Sequence, residues 1–323
     1  MSSGLGQIKL MPLALTSDAA IRVLRRHPAQ SVYSILKAAV RKIGFKLLRT
    51  NTYQALEDEV VNLRDVIREY QLKLERKPDY QTIMAQDQIR AGMADVEPEF
   101  LELYIRCREY TMTSWERLYA LHKAVQYIVA NAIPGDLVEC GVWRGGSMRL
   151  AAMALLAGGA TDRKLYLYDT FEGMTEPTQL DVDLYGNRAI DDWAQIKRRG
   201  VRWSYAPLEE VRKTIAATGY PMDKVILVKG PVEATIPQII PNKIALVRLD
   251  TDWHASTLHA IERLYPRLSS HGVLILDDYG HYKGARQAVD DYLACIRPKP
   301  LLNRIDYSCR LALKPQDLPS TCS

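Results

Sequence analysis

The stretch Leu249-Asp250-Thr251-Asp252-Trp253-His254, followed at Leu276-Asp277-Asp278-Tyr279 by a second of the same design, decides how this chain is read. Each half is an apolar run that stops abruptly in carboxylates. Residues 243–249 and 273–276 have the composition of interior parallel strands, so the acids stand at strand carboxyl ends, where open α/β sheets bind ligands. Several carboxylates meeting there repel one another unless a proton or a divalent cation intervenes. The donors are all oxygen, and no His and Cys cluster accompanies them. The pattern therefore points to a hard cation, magnesium first, rather than zinc. The competing reading makes these acids helix N-caps, and for Asp252 alone capping is the expected role.

Upstream, Asp136-Leu137-Val138-Glu139-Cys140-Gly141-Val142-Trp143-Arg144-Gly145-Gly146-Ser147 reads as a strand, a glycine turn and the start of a helix running through Leu156. Glycine lets a backbone approach a ligand closely, but the spacing is not G-x-G-x-x-G. The next strand, 164–168, ends at Asp169, placed to hold two ribose hydroxyls. Together these features describe a nucleoside cofactor with no need for a pyrophosphate. Further strands are expected at 224–228, 301–305 and 309–313, the last two forming a hairpin through Asp306 and Tyr307. Helices are expected near 208–218, 256–268 and 284–295. Alternating strands and helices give an α/β, Rossmann-like seven-stranded sheet. Residues 172–206, with Asp191-Asp192-Trp193, read as a long loop that covers the acceptor or the adenine. Ser114 reads as the N-cap of a helix over 117–129.

These segments resemble the macrocin O-methyltransferase family. The resemblance rests on Tyr110 to Ser114 with Glu116-Arg117-Leu118, Ile133 to Asp136, Val138 to Ser147, Tyr168 to Gly173, Leu249 to Asp252 with Ser256-Thr257, Leu264-Tyr265-Pro266, Asp277 to Gly280 and Gly284-Ala285-Arg286. It runs in order across about residues 107–292. The resemblance implies S-adenosylmethionine as cofactor, Mg²⁺ as metal and a sugar or glycoside hydroxyl as acceptor. It implies that Glu139 and Gly141 lie beside the methionine and ribose, with Ser147 and Ser114 in the same cofactor site, and that Asp169 and Phe171 face the ribose and adenine. Asp250, Asp277 and Asp278 become the metal ligands and Asp250 the general base. Where the family usually has Gly and Tyr, this chain has Thr251 and, near it, His254, which is kept as a second candidate base; His281 is a weaker third. A non-sugar vicinal diol such as a catechol, and a catalytically silent scaffold, are the alternative functions.

Length and composition allow one catalytic domain, 117–316, preceded by a helical extension, 1–80, and a connecting segment, 81–116, and followed by a tail, 317–323. The 47 % hydrophobic content supports a sizeable core. Five cysteines without a C-x-x-C pair suit a reducing cytoplasm. No apolar run is long enough to cross a bilayer. Between Ala19 and Leu56 stand eight basic residues and no acidic one, more than the whole chain's net +5, so the remainder is net acidic. Val32, Ile35, Leu36, Ala39, Val40, Ile43 and Leu47 form an apolar stripe at helical spacing. Residues 19–50 therefore either lie on an anionic membrane or pack against protein. Leu56, Val60, Leu63, Ile67, Tyr70 and Leu74 follow in a heptad-like pattern that suggests homo-oligomerisation. Nothing in the extension carries aromatic interleaving or a nucleic-acid motif.

Overall fold

The computed structural model describes residue 93 and residues 95–316. The basic stripe of 19–50, the heptads of 56–74, residues 81–92 and 94 of the connecting segment and the 317–323 tail lie outside the described residues. In chain order the elements are α1 (Pro98–Cys107), α2 (Trp115–Ala130), β1 (Asp136–Cys140), α3 (Gly146–Ala157), β2 (Leu165–Asp169), α4 (Ala189–Arg198), α5 (Leu208–Ala216), β3 (Val225–Lys229), the short α6 (Val232–Thr235), β4 (Ile244–Leu249), α7 (His254–Leu264), β5 (Leu268–Leu276), α8 (Lys283–Ala294), β6 (Asn303–Arg304) and β7 (Arg310–Leu313).

The strands form one seven-stranded sheet in the order β3-β2-β1-β4-β5-β7-β6. The first five are parallel, and β7 and β6 run antiparallel on one edge. All six residues of β4 are buried, as expected of a central parallel strand covered on both faces. The chain steps outward from β1 to β2 to β3 and then returns to place β4 on the other side of β1. That reversal opens a crevice outside the carboxyl ends of β1 and β4. Two backbone approaches shape it. Gly141, at φ +83°, passes so near Asp250 that a Cβ there would stand 1.8 Å from the Asp250 carbonyl oxygen. A Cβ on Gly146 would lie 2.6 Å from the Tyr110 carbonyl, so α3 starts tightly beneath the segment leading into α2.

Three details depart from the sequence reading. β5 begins at Leu268, five residues earlier than expected, because polar Ser269, Ser270, His271 and Gly272 enter the strand across a register shift against β4. His271 takes φ +65° there, and Ser269 Oγ is held by the Pro134 carbonyl at 2.6 Å. Only Asn303–Arg304 pair in the 301–305 run. Residues 172–206 are not a bare loop: they contain α4, with Asp191 and Asp192 in its first turn, where the helix dipole favours acids.

Candidate active site

A cleft of about 310 Å³ lies at the switch point. Its walls come from the β1–α3 turn (Gly141, Val142, Trp143, Ser147), the end of β2 (Asp169, Thr170), the segment before α2 (Thr111, Met112, Thr113, with Arg117) and the acids after β4 and β5.

The acid cluster is built on two strand ends locked side by side: the Asp250 N–H donates to Cys140 O at 2.8 Å and the Asp277 N–H to Leu249 O at 2.9 Å. One oxygen from each of Asp250, Asp277 and Asp278 lies within 4.8 Å of the others. Between them stands Arg248, 3 % exposed, on the otherwise apolar β4. Its Nη1 donates to Glu139 Oε1 at 2.7 Å and Asp250 Oδ2 at 2.7 Å, and its Nη2 to Asp277 Oδ1 at 2.5 Å. Arg117, from the first turns of α2, adds a second guanidinium, donating to Asp277 Oδ2 and, 2.7 Å away, to Asp306 Oδ2. Burial works against the Arg117 charge, but Asp277 and Asp306 hold the group protonated.

Two guanidiniums do not neutralise five neighbouring carboxyls, Glu139, Asp250, Asp252, Asp277 and Asp278. The excess appears as raised pKa values. Burial pushes Asp250 up to about 6 against the pull of Arg248, even though its side chain keeps 30 % of its surface open to the cleft. Burial, and then the neighbouring acids, carry Asp252 and Asp278 well above the carboxylate range. Glu139, 1 % exposed, is pushed up to about 8 by burial. Arg248 stays charged; because it is shared among three acids, it cannot hold all of them ionised, and burial prevails at Glu139. Crowded oxygen donors with a deficit of positive charge suit a hard divalent cation, which would ionise them.

Asp252 does not cap α7. It adopts φ +59°, donates its N–H to Asp278 Oδ2 at 3.1 Å and lines the cleft. The cap is Asp181, fully buried and 73 residues away, which accepts the His254 N–H at 2.7 Å and also ties down Thr178. His254 accordingly does not line the cleft; its Cβ sits where a Cβ on Gly284 would press at 3.1 Å. His281 is not on the cleft wall either and packs edge-on between Tyr282 and Tyr307.

On the cofactor side, Asp169 Oδ2 accepts the N–H groups of Val142 and Trp143 at 2.7 and 3.0 Å, and its Oδ1 accepts that of Phe171 at 2.7 Å. The carboxylate thus pins the glycine turn in addition to facing the cleft. Gly141, Ser147 and Asp169 line the cleft, whereas Glu139, Phe171 and Ser114 do not. Glu139 lies beneath it with Oε2 buried and unpartnered. Phe171 turns inward at φ +51°, 3 % exposed. Ser114 caps α2 through the Arg117 N–H and donates to Asp306. The residues that sequence reasoning left without a role are Arg248, Asp181, Asp306 and the aromatic wall of Trp203, Trp253 and Tyr282, whose rings meet edge to face at 5.8 and 5.2 Å. Only Arg248 left a signal: a charge inside an apolar strand.

The chain is matched by the macrocin O-methyltransferase (TylF) family model over residues 46–312. The chain belongs to that family. It is an O-methyltransferase of the S-adenosylmethionine-dependent kind. Among its relatives is the 8-demethyl-8-(2,3-dimethoxy-alpha-L-rhamnosyl)-tetracenomycin-C 4'-O-methyltransferase of Streptomyces olivaceus, 35 % identical over 230 residues, or 71 % of this chain and 85 % of the relative. The mycinamicin III 3''-O-methyltransferase of Micromonospora griseorubida is 30 % identical over 57 % of this chain and 70 % of its own. The solved structure of the O-methyltransferase NovP is similar at 29 % identity with a TM-score of 0.57, covering 64 % of this chain and 83 % of that one.

Proposed function

We propose that this methyltransferase acts on a hydroxyl of a sugar or glycoside, with Mg²⁺ held by Asp250, Asp277 and Asp278. The observation that carries the reading is the meeting of those three carboxylates, within 4.8 Å of one another, in the same cleft as Gly141 and Asp169. The named activities of the Streptomyces and Micromonospora relatives, both on glycosylated products, agree with it.

S-adenosylmethionine supplies a methyl group on a sulfonium, and a divalent cation, when bound, acidifies the hydroxyl it holds. In this reading the chain's own residues do the rest. Gly141 and Ser147 bring the β1–α3 backbone against the cofactor, and Asp169 holds the ribose while fixing that turn. Glu139 offers its unpartnered Oε2 to the ammonium of the methionine portion. Arg248 and Arg117 keep Asp277 in place. Asp250, with its open edge, would take the proton from the acceptor hydroxyl. Trp253 and Tyr282 restrict water on the far wall, so positioning supplies much of the acceleration.

Methyl transfer to a panel of glycosides, free sugars and catechols, read by mass spectrometry, tests the acceptor class. Product from glycosides and none from catechols is expected. The homo-oligomer, a cytoplasmic location and contact of residues 19–50 with anionic membranes belong to the same proposal. No helix among the described residues is long and apolar enough to cross a membrane. Light scattering and vesicle sedimentation test the assembly and the contact.

A further inference from the structure

The cleft is acidic inside, and the bend that follows α4 and leads into its Trp203 wall is rich in positive charge. Lys197, Arg198, Arg199 and Arg202 fall within six residues at the carboxyl end of α4, all exposed and with no acidic residue among them. Among the described residues none of the four makes an ion pair. Instead, Lys197 Nζ stands 4.2 Å from the centre of the Trp193 ring and the Arg202 guanidinium 4.9 Å from that of Tyr205, while Arg198 Nε donates to Ala194 O at 3.2 Å. Gly200, at φ +67°, turns the chain at the helix end and keeps the four side chains on one short bend. Cations at a helix carboxyl end complement its dipole, which accounts for one or two but not for Arg202 beyond the turn.

Arg202 is also joined to the cleft. A Cβ on Gly173, which lines it, would lie 3.3 Å from the Arg202 Cβ. The next residue, Trp203, lines the cleft, packs on Trp253 and accepts the Met174 N–H at 2.9 Å.

We infer that the bend formed by Lys197, Arg198, Arg199 and Arg202 is a phosphate-binding subsite, and that the acceptor is a sugar carrying a phosphate or diphosphate ester. The inference rests on the glycoside reading and specifies the form in which the sugar arrives. The arginine forks of the bend match the oxygens of such a group, which holds the ester end beside Trp203 and leaves the hydroxyl end to enter the cleft. A nucleoside diphosphate and a lipid-linked phosphate share this chemistry.

Inorganic pyrophosphate and uridine diphosphate, titrated into the full-length protein with tryptophan fluorescence as readout, test the subsite directly. Saturable binding is expected, weakened at least tenfold in an Arg199→Glu/Arg202→Glu variant. An Arg263→Glu/Arg267→Glu variant, altered at two exposed arginines of another surface, should bind as the wild type does, and S-adenosylhomocysteine affinity should be the same in all three. Binding to vesicles of phosphatidic acid in phosphatidylcholine that is weaker in the Arg199/Arg202 variant than in the Arg263/Arg267 variant would assign the phosphate to a lipid. Binding of uridine diphosphate with equal vesicle binding by the two variants would assign it to a soluble nucleotide. No saturable binding of either anion, or equal weakening in both arginine variants, overturns the subsite. If unphosphorylated glycosides are still methylated in that case, the glycoside reading survives alone.

Discussion

Glu139 is the group whose protonation most directly reports the balance of charge beneath the cleft. Its ordinary value of 4.5 rises to about 8 in the folded protein. A carboxyl raised in the fold binds a proton that the unfolded chain has already lost, so it stabilises at low pH, and that contribution disappears as pH rises through the folded value. Between pH 6.5 and 8, where unfolded Glu139 is fully ionised, linkage gives a loss of about 1.5 kcal/mol. For a body of this size that is roughly 3 to 6 °C in Tm. Glu139→Gln keeps the shape and removes the titration. The expected result, by differential scanning fluorimetry without metal or cofactor, is a wild-type Tm that falls across this window and a flatter Glu139→Gln line. Saturating S-adenosylhomocysteine should flatten the wild-type slope as well, because its ammonium would hold Glu139 ionised. Parallel slopes for the two proteins would mean that Arg248 alone keeps Glu139 charged, and the argument from burial would be wrong.

Gly141→Ala places a Cβ 1.8 Å from Asp250 O on a backbone at φ +83°; it should cost on the order of 3 kcal/mol in stability and abolish cofactor binding, read by melting and by calorimetry. Asp169→Ala should weaken S-adenosylhomocysteine by roughly 1.5 to 3 kcal/mol, the range for hydrogen bonds to a charged group, and should speed hydrogen exchange at Val142 and Trp143, whose N–H groups it holds. Because Asp250 titrates near 6 in the absence of a cation, Mg²⁺ affinity should rise with pH through that value and binding should release protons, measurable by calorimetry in buffers of different ionisation enthalpy. A chain beginning near Asp79 should keep its cofactor affinity and lose oligomerisation, vesicle binding or both, as light scattering and sedimentation would report.

The core of the fold was legible because its signals are local. The apolar run of β4 ends in acids, the β1 strand ends in glycines, and each pattern survives folding unchanged. Ser114 capping α2 was readable for the same reason. What escaped is non-local. Asp181 reaches α7 across 73 residues, and nothing near His254 announces that its N–H is already taken. Asp252 resembles a cap in sequence, but the link to Asp278 turns its backbone left-handed. The sequence shows only the apolar half of β5 because Ser269 and Ser270 owe their place in the strand to sheet neighbours rather than to their own propensity. Arg248 reads as an interruption until the strands on either side bring Glu139 and Asp277 to it.

Sugar methylation supported by a cation on Asp250, Asp277 and Asp278 is tested most directly by methyl transfer to glycosides by protein stripped with EDTA and then supplied with Mg²⁺. Product should vanish on stripping and return with Mg²⁺ in the wild type, with no return in Asp278→Asn although that variant still binds S-adenosylhomocysteine. Full activity after stripping, or undiminished activity in Asp278→Asn, would contradict it.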